Sequence, residues 1–153
     1  ETVLVMFSGV GPFAIEIAKN TPASSVYGVE LNKTAHKYAL ENAKLNKVVA
    51  KTTFLCGDAR KIVPKLKLKF DRIIMPLPKG AESFLPTAFS AAKKGTIIHF
   101  YDFEREEDIP QKSAEKATTA AAAAKKKIKI LYVVKCGQLA PRAYRVCVDF
   151  EVI

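Results

Sequence analysis

Short apolar segments and helical segments alternate along most of the chain, and this alternation restricts its fold more than any other feature. Residues 2–7 form a continuous apolar run, which is typical of a strand buried on both faces. The strand and helix patterns alternate five times, with further strands predicted over 24–31, 52–56, 71–75 and 96–101. Such alternation predicts an α/β fold with a doubly wound, mostly parallel sheet.

Two later segments have helical patterns. Apolar residues at 81, 84, 85, 88 and 92 predict an amphipathic helix over 81–92 that Gly95 ends. Residues 104–127 run from an acidic head through five alanines to three lysines. Acids at the start and lysines at the end complement the dipole of a helix, so we expect an exposed helix there.

The end of the chain departs from the alternation. Two strand-like runs, 128–136 and 144–153, are joined by the stretch Gly137–Pro141. This connection is too short for the crossover that parallel strands need. We therefore predict an antiparallel hairpin at one edge of the sheet, an ending that differs from that of a plain dinucleotide-binding sheet.

Composition limits the classes of protein and partner. The 153 residues, of which 49% are hydrophobic, suit one domain with a real core. No apolar run approaches the roughly 18 residues of a membrane span. The net charge is +10, and residues 51–100 carry 10 basic and 3 acidic side chains. This excess favours a polyanionic partner such as nucleic acid.

The cysteines and histidines do not form a recognisable site. Cys56, Cys136 and Cys147 are widely spaced among apolar residues, without the CxxC spacing of a zinc knuckle or a dithiol. We expect core thiols in a reducing, cytoplasmic compartment. His36 and His99 have no partner spacing for a metal or a catalytic triad, so we expect a surface histidine, a core histidine and no metal site.

A glycine-rich turn follows the first strand. Residues 9–14 satisfy the loose pattern G-x-G-x-x-[GA], and Glu30 follows Gly11 by 19 residues at the end of the second strand. Nicotinamide and S-adenosylmethionine sites both place an adenosine ribose against such a carboxylate. Alternatively, the glycines serve only a tight turn and helix packing.

Pro12 distinguishes between these two cofactors. A pyrophosphate binds free N–H groups at the start of a helix, and a proline there removes one donor. S-adenosylmethionine has no phosphate, so the missing N–H donor costs it less binding free energy. The turn therefore favours S-adenosylmethionine.

Two further loops are predicted at the same edge of the sheet. Asp58 follows the third strand, where its carboxylate or neighbouring backbone could hold an adenine amino group, although such an Asp is often a helix cap. The run Met75–Lys79 follows the fourth strand, and its two prolines make either a rigid wall for a flat base or merely a stiff loop. Ligands bind at the carboxyl edge of such sheets.

Lys79, Arg142 and Arg145 are candidate phosphate contacts.

Motifs along nearly the whole chain resemble those of the archaeal and eukaryotic tRNA guanine-37 N1-methyltransferases. They are Met6–Phe13, Val29–Asn32, Leu45–Lys47, Gly57–Arg60, Arg72–Lys79, Ile98–Tyr101 and Ala140–Tyr144. Their order makes the resemblance far more specific than a lone glycine motif. The chain is also similar to a sister family, the wybutosine-synthesis enzymes that transfer the aminocarboxypropyl group of S-adenosylmethionine to the tricyclic guanine of tRNA.

The resemblance implies a class I S-adenosylmethionine-dependent, Rossmann-like methyltransferase fold that methylates N1 of a guanine in tRNA. The cofactor residues it implies are Phe7, Ser8, Gly9, Gly11, Pro12, Phe13, Glu30, Leu31, Asp58, Ala59 and Pro76. The substrate residues it implies are Pro76, Leu77, Pro78, Lys79, Arg142 and Arg145. The target base would be turned out of its stack into a pocket walled by residues 76–79.

Two positions depart from the family pattern. Val5 stands where an acidic residue is common, so the contact to the methionine amino group is not identified. Pro76 stands where the family often has Asn. This chain therefore lacks the side-chain amide that orients the guanine, or the backbone and Lys79 perform that role instead.

The resemblance also predicts the domain organisation. The family carries further N-terminal domains for tRNA, with catalytic Arg and Glu residues ahead of the first motif. We therefore expect residues 1–153 to be one domain of a longer monomeric enzyme whose general base lies upstream of Glu1. Three functions stay open: methyl transfer, aminocarboxypropyl transfer, and cofactor binding without catalysis.

Overall fold

The computed structural model describes residues 1–77 and 79–153. The described strands are β1 (Thr2–Met6), β2 (Ser25–Glu30), β3 (Thr52–Cys56), β4 (Phe70–Met75), β5 (Ala92–Arg105), β6 (Ile128–Ala140) and β7 (Ala143–Val152). The described α-helices are α1 (Pro12–Asn20), α2 (Lys33–Leu45), α3 (Ala59–Lys65), α4 (Leu85–Ala91) and α5 (Gln111–Ala123). Single 3₁₀ turns lie at Val49–Lys51, Ala81–Phe84 and Glu106–Asp108.

The strands form one sheet in the order β3-β2-β1-β4-β5-β7-β6. The first five strands pair in parallel, and β7 pairs antiparallel with both β5 and β6. The predicted doubly wound sheet with an antiparallel hairpin at one edge is therefore confirmed. The turn of the hairpin is Pro141–Arg142 rather than the predicted Gly137–Pro141, because pairing continues to Ala140 and Ala143.

Helices cover both faces of the sheet. The β1 side chains alternate, and Val3 and Val5 pack on the face that α1 and α2 cover. Leu4 and Met6 pack on the opposite face, against α3, α4 and α5. All four are at most 1% exposed, which explains why β1 is apolar from Val3 to Met6.

Local sequence determines where the first helices begin. Pro12 occupies the first position of α1, where the missing N–H costs no hydrogen bond. Asn32 caps α2, because its Oδ1 accepts from the N–H groups of Thr34 and Ala35 at 2.9 and 3.1 Å. Asp58 caps α3 by accepting from the Arg60 N–H at 2.9 Å.

The fifth strand is longer than its predicted range of 96–101. The predicted helix over 81–92 is a 3₁₀ turn followed by α4, and β5 begins directly after it at Ala92. At its other end β5 continues to Arg105, because β7 pairs with it as far as Ala143. The parallel neighbour β4 pairs only as far as Phe100. The β5-β7-β6 part of the sheet therefore extends beyond the carboxyl ends of the other strands.

The predicted helix over 104–127 was wrong about its start, and its exposure holds for one face only. Its acidic head includes Glu104, which lies in β5, and α5 begins only at Gln111. Ser113, Ala117 and Ala121 are buried. A tertiary contact explains the later start, since the Glu104 carboxylate accepts a hydrogen bond from the Ser113 N–H and thereby caps the first turn of α5.

None of the helices in the described ranges 1–77 and 79–153 is both long and apolar enough to cross a membrane.

Candidate functional site

A cavity of about 370 Å³ lies at the carboxyl ends of β1 to β4. Its size falls within the range of about 300–1,000 Å³ that is usual for small-molecule sites. The lining residues are Phe7, Val29, Glu30, Leu31, Gly57, Asp58, Ala59, Arg60, Pro76, Leu77 and Phe84. Six of the eleven predicted cofactor residues are among them, which are Phe7, Glu30, Leu31, Asp58, Ala59 and Pro76.

Glu30 organises one side of this cavity. Its Oε2 accepts from the Gly9 N–H at 2.7 Å, and its Oε1 accepts from the Asn32 N–H at 2.7 Å. The carboxylate thus joins the glycine turn after β1 to the start of α2. Each oxygen has a second lone pair, so Glu30 can still accept hydrogen bonds from a diol.

Three of the predicted residues in the glycine turn lie outside the cavity lining. Ser8 is buried, and its Oγ has no hydrogen-bond partner among the described residues. Gly9 has a φ of +55°, and a Cβ built there would meet no atom within 4 Å. Gly11 has a φ of +90° and lies against the Phe54 ring. The turn therefore needs glycine at both positions and leaves open space at Gly9.

The two remaining predicted cofactor residues begin α1. Pro12 and Phe13 are both exposed and do not line the cavity. The Phe13 ring makes an edge contact with Tyr101, with 6.1 Å between the ring centroids. The start of α1 is thus open to a larger ligand.

The predicted substrate residues fall into two groups. Pro76 and Leu77 line the cavity, and Lys79 is exposed in the turn that follows. Pro78 lies outside the described residues. Arg142, with a φ of +56°, lies in the hairpin turn, and Arg145 is exposed on β7. The second group lies on the extension of the sheet beyond the same carboxyl edge.

Arg60 and Phe84 belong to the cavity wall but were not predicted to do so. The Arg60 guanidinium carbon lies 3.9 Å from the centroid of the Phe84 ring. The edge of this ring contacts Phe7, with 4.7 Å between the ring centroids. In the sequence Phe84 has the spacing of an ordinary core residue, and no local signal links it to Arg60.

A hydrogen-bonded group lies on the sheet face that α1 covers. Arg72 donates to His99 Nε2 at 2.7 Å, and His99 Nδ1 lies 2.7 Å from Asp149 Oδ1. Burial is the largest single influence on Asp149 and raises its pKa, but the contacts with His99, Cys147 and Arg72 together outweigh burial and hold that pKa below its usual value. Burial raises the pKa of Tyr101, nearby on β5, to about 12.

Ligand atoms of His99, Cys147 and Asp149 lie within 4.8 Å of one another, as in a metal site. Arginine always donates, so His99 Nε2 accepts from Arg72 and Nδ1 carries the proton. A protonated Nδ1 has no lone pair for a metal. We therefore interpret the three side chains as a hydrogen-bonded network.

The cysteine expectation was partly wrong. Cys147 is buried, and burial raises the pKa of its thiol far above the usual value. Cys56 and Cys136 are exposed. Cys56 ends the edge strand β3, and Cys136 lies at a bulge in the opposite edge strand, β6. Apolar neighbours in the sequence therefore did not imply burial.

The cavity fits the adenosine part of S-adenosylmethionine, the cofactor that the sequence resemblance implies. Its walls combine apolar side chains with two carboxylates, Glu30 and Asp58. Such acceptors suit hydroxyl and amino donors and would repel a pyrophosphate. The free space at Gly9 leaves room for the ligand to continue along the start of α1.

Comparisons with known proteins agree with this geometry. A family model described as the TRM5/TYW2 methyltransferase domain matches residues 1–131. The chain is 41% identical over 152 residues to the tRNA (guanine(37)-N(1))-methyltransferase Trm5b of Pyrococcus abyssi. The match covers 99% of this chain and 44% of that relative. The chain thus spans less than half the length of this relative.

Two solved structures have the same fold. Methanocaldococcus jannaschii TYW2 in complex with AdoMet has a TM-score of 0.89 and 32% identity, covering 100% of this chain and 69% of that one. The complex of aTrm5 and tRNALeu has a TM-score of 0.82 and 31% identity, covering 99% of this chain and 41% of that one.

Proposed function

The chain belongs to the TRM5/TYW2 methyltransferase family, and on this premise we propose that it transfers the methyl group of S-adenosylmethionine to N1 of guanine 37 in tRNA. The cavity at the carboxyl edge carries the proposal, because Glu30 fixes the glycine turn there and keeps free lone pairs. The P. abyssi relative, a guanine-37 N1-methyltransferase by name, supports methyl transfer as the reaction.

We propose one role for each part of the cofactor site. Glu30 accepts hydrogen bonds from the ribose hydroxyls, and Asp58 with the Ala59 backbone holds the adenine. Apolar contacts to the adenine come from Leu31 and Pro76, both of which line the cavity. The methionine part extends past the glycine turn toward α1, along Phe7, Ser8, Gly9, Gly11, Pro12 and Phe13.

The chain contributes to the reaction mainly by positioning. When bound, S-adenosylmethionine supplies a methyl group that its sulfonium activates toward a nitrogen nucleophile. The guanine would lie against Pro76 and Leu77 with Lys79 nearby, so that N1 faces the cofactor cavity, and such orientation supplies a large part of the rate. Guanine N1 bears a proton that a base must remove. Glu30 and Asp58 already bind backbone N–H groups, and we assign this role to neither.

The proposed reaction is tested by the mass of its product. The chain is joined to the N-terminal domains that the resemblance implies, because the general base is expected upstream of Glu1. This protein is incubated with S-adenosylmethionine and a tRNA transcript with guanine at position 37, and the digested nucleosides are analysed by mass spectrometry. We expect N1-methylguanosine, absent when position 37 is adenine. A second incubation with tRNA that carries the tricyclic guanine tests the sister reaction, which a heavier nucleoside bearing an aminocarboxypropyl group would indicate. Cofactor binding by calorimetry without either product from this joined protein would favour a non-catalytic module.

The tRNA complex of a relative supports tRNA as the partner, and the exposed arginines of the hairpin offer a phosphate-binding surface. We expect the double variant Arg142→Ala with Arg145→Ala to bind tRNA about tenfold more weakly, because two phosphate contacts are lost. The slope of log K against log salt should become shallower by up to about 2.

The matched control for this surface is the double variant Lys65→Ala with Lys67→Ala. Lys65 lies on α3 and Lys67 lies just after it, and both are exposed. Their substitution removes the same charge as the arginine variant does, but from a different part of the molecule. Their salt slope should equal that of the unmodified chain. Equal slopes for the arginine and lysine variants would reject the hairpin as the RNA surface.

The wider setting of the protein is also a proposal. We propose that residues 1–153 form one cofactor-binding catalytic domain that acts on tRNA as a monomer in the cytoplasm. The three free thiols suit a reducing compartment.

A further inference from the structure

Arg60 connects the cofactor cavity to the segment that follows β4. Its guanidinium packs on the Phe84 ring, and both side chains line the cavity. The Arg60 Nη2 donates a hydrogen bond to Ser83 Oγ at 3.0 Å. The Arg60 side chain therefore reaches from the start of α3 to the 3₁₀ turn Ala81–Phe84.

Ser83 continues this connection to Gly80, which ends the loop that follows β4. We call this loop the guanine loop, because its residues Pro76, Leu77 and Lys79 are proposed to contact the guanine. Its hydroxyl donates to the Gly80 carbonyl oxygen at 2.9 Å, and its backbone N–H donates to the same oxygen at 3.3 Å. Because the hydroxyl proton points to Gly80, the oxygen lone pairs are free to accept from Arg60. The directions of the two side-chain hydrogen bonds are thus compatible.

Gly80 is the last residue before the 3₁₀ turn and has a φ of +81°. It directly follows Lys79, and the described residues Pro76, Leu77 and Lys79 belong to the proposed guanine pocket. Whatever holds the Gly80 carbonyl therefore limits the movement of Lys79. Contacts run without a break from the cavity wall through Arg60 and Ser83 to this carbonyl.

These contacts contribute little to the stability of the fold. Arg60 and Ser83 are both exposed, and an exposed cation–π contact or hydrogen bond is weak in water. The core of the domain does not depend on them. Because they lie between the cofactor cavity and the guanine loop, we expect their role to be in positioning these two regions.

We propose that Arg60 is a positioning residue, which acts through Ser83 to fix the Gly80 end of the guanine loop relative to the cofactor cavity. The catalytic consequence rests on the proposed function. The structural link rests on the contacts of this chain alone. The two parts therefore have separate tests.

The structural link is tested by trypsin cleavage after Lys79. We expect Ser83→Ala to cleave at Lys79–Gly80 about threefold faster or more, because the loop loses one of its hydrogen bonds. Cleavage at Lys94–Gly95 serves as the internal reference, since Lys94 is also exposed and also precedes a glycine. Peptide mass mapping gives the ratio of the two rates.

Ser90→Ala is a matched control variant. Ser90 is exposed, and its hydroxyl donates to the Thr87 carbonyl three residues earlier at 2.7 Å. Ser83 makes the same kind of bond to Gly80, but only Ser83 also contacts Arg60. The cleavage ratio of Ser90→Ala should equal that of the unmodified chain.

The catalytic consequence is tested by the methyl-transfer assay. We expect Ser83→Ala to lower kcat about fivefold while the Kd for S-adenosylmethionine, from calorimetry, stays within about twofold, because Ser83 does not line the cavity. Arg60→Ala should affect both quantities. Arg60→Lys should recover part of kcat, since lysine can still donate to Ser83 but cannot stack flat on Phe84.

Each outcome decides one part of the proposal. A cleavage ratio and a kcat for Ser83→Ala that match those of Ser90→Ala would overturn it. Faster cleavage with an unchanged kcat would overturn the catalytic role. If the unmodified chain methylates no tRNA even when joined to the same N-terminal domains, the proposed function fails, and the cleavage ratio alone decides whether Arg60 and Ser83 hold the loop.

Discussion

Glu30→Ala should bind S-adenosylmethionine about 30- to 100-fold more weakly than the unmodified chain. The substitution removes the acceptor proposed for the ribose hydroxyls. It also removes both 2.7 Å hydrogen bonds that hold Gly9 and Asn32. Bonds to a charged group contribute about 1.5–3 kcal/mol, and about 1.4 kcal/mol corresponds to a tenfold change in affinity. Isothermal calorimetry measures the change directly.

Glu41→Ala is the control for this measurement. Glu41 lies on α2, which follows Glu30 in the chain, but it is exposed and makes only a 3.9 Å ion pair with Lys37. Removing it changes the net charge equally and should leave the affinity within about twofold. If Glu30→Ala binds the cofactor as tightly as Glu41→Ala does, the ribose assignment is wrong.

Phe100→Ala should reduce the free energy of unfolding by about 3–5 kcal/mol, which is the usual cost of removing a fully buried phenylalanine. Phe100 is 0% exposed and lies on β5 between Met75 of β4 and Val148 of β7. Its ring fills the core between the sheet and the helices α4 and α5. Urea unfolding followed by circular dichroism measures the loss, with the slope m unchanged.

Phe103→Ala on the same strand provides the comparison. Phe103 is half-buried and lies on the extension of β5 beyond the end of β4. Because less apolar area leaves water there, its removal should cost only about 1 kcal/mol. Equal losses for the two variants would contradict the observed register of β5.

Short-range patterns in the sequence predicted much of the fold and part of the site. The range 52–56 of the third strand was correct, and the caps of α2 and α3 follow from Asn32 and Asp58 alone. Glu30 and Asp58 were predicted to meet because parallel strands bring their carboxyl ends to one edge. The cavity that they line bears out this expectation.

Long-range pairing explains the errors. β5 extends to Arg105 because β7, about 40 residues later, provides hydrogen-bond partners there. The same extension carries Glu104 under the start of α5. Nothing local in the acidic run 104–108 indicates a strand, because its charges alone favour the first turn of a helix.

The sequence by itself determined the class of fold, the order of the first five strands along the chain and the carboxylate at the end of β2. These depend on hydrophobic periodicity and turn residues, which act over a few positions. Only the tertiary structure decided that Arg60 packs on Phe84, that His99 lies between Arg72 and Asp149, and that two cysteines are exposed. The contacts of Arg60 and His99 join residues more than 20 positions apart, and tertiary packing rather than local preference selects them. The exposure of a cysteine likewise depends on which elements pack over it.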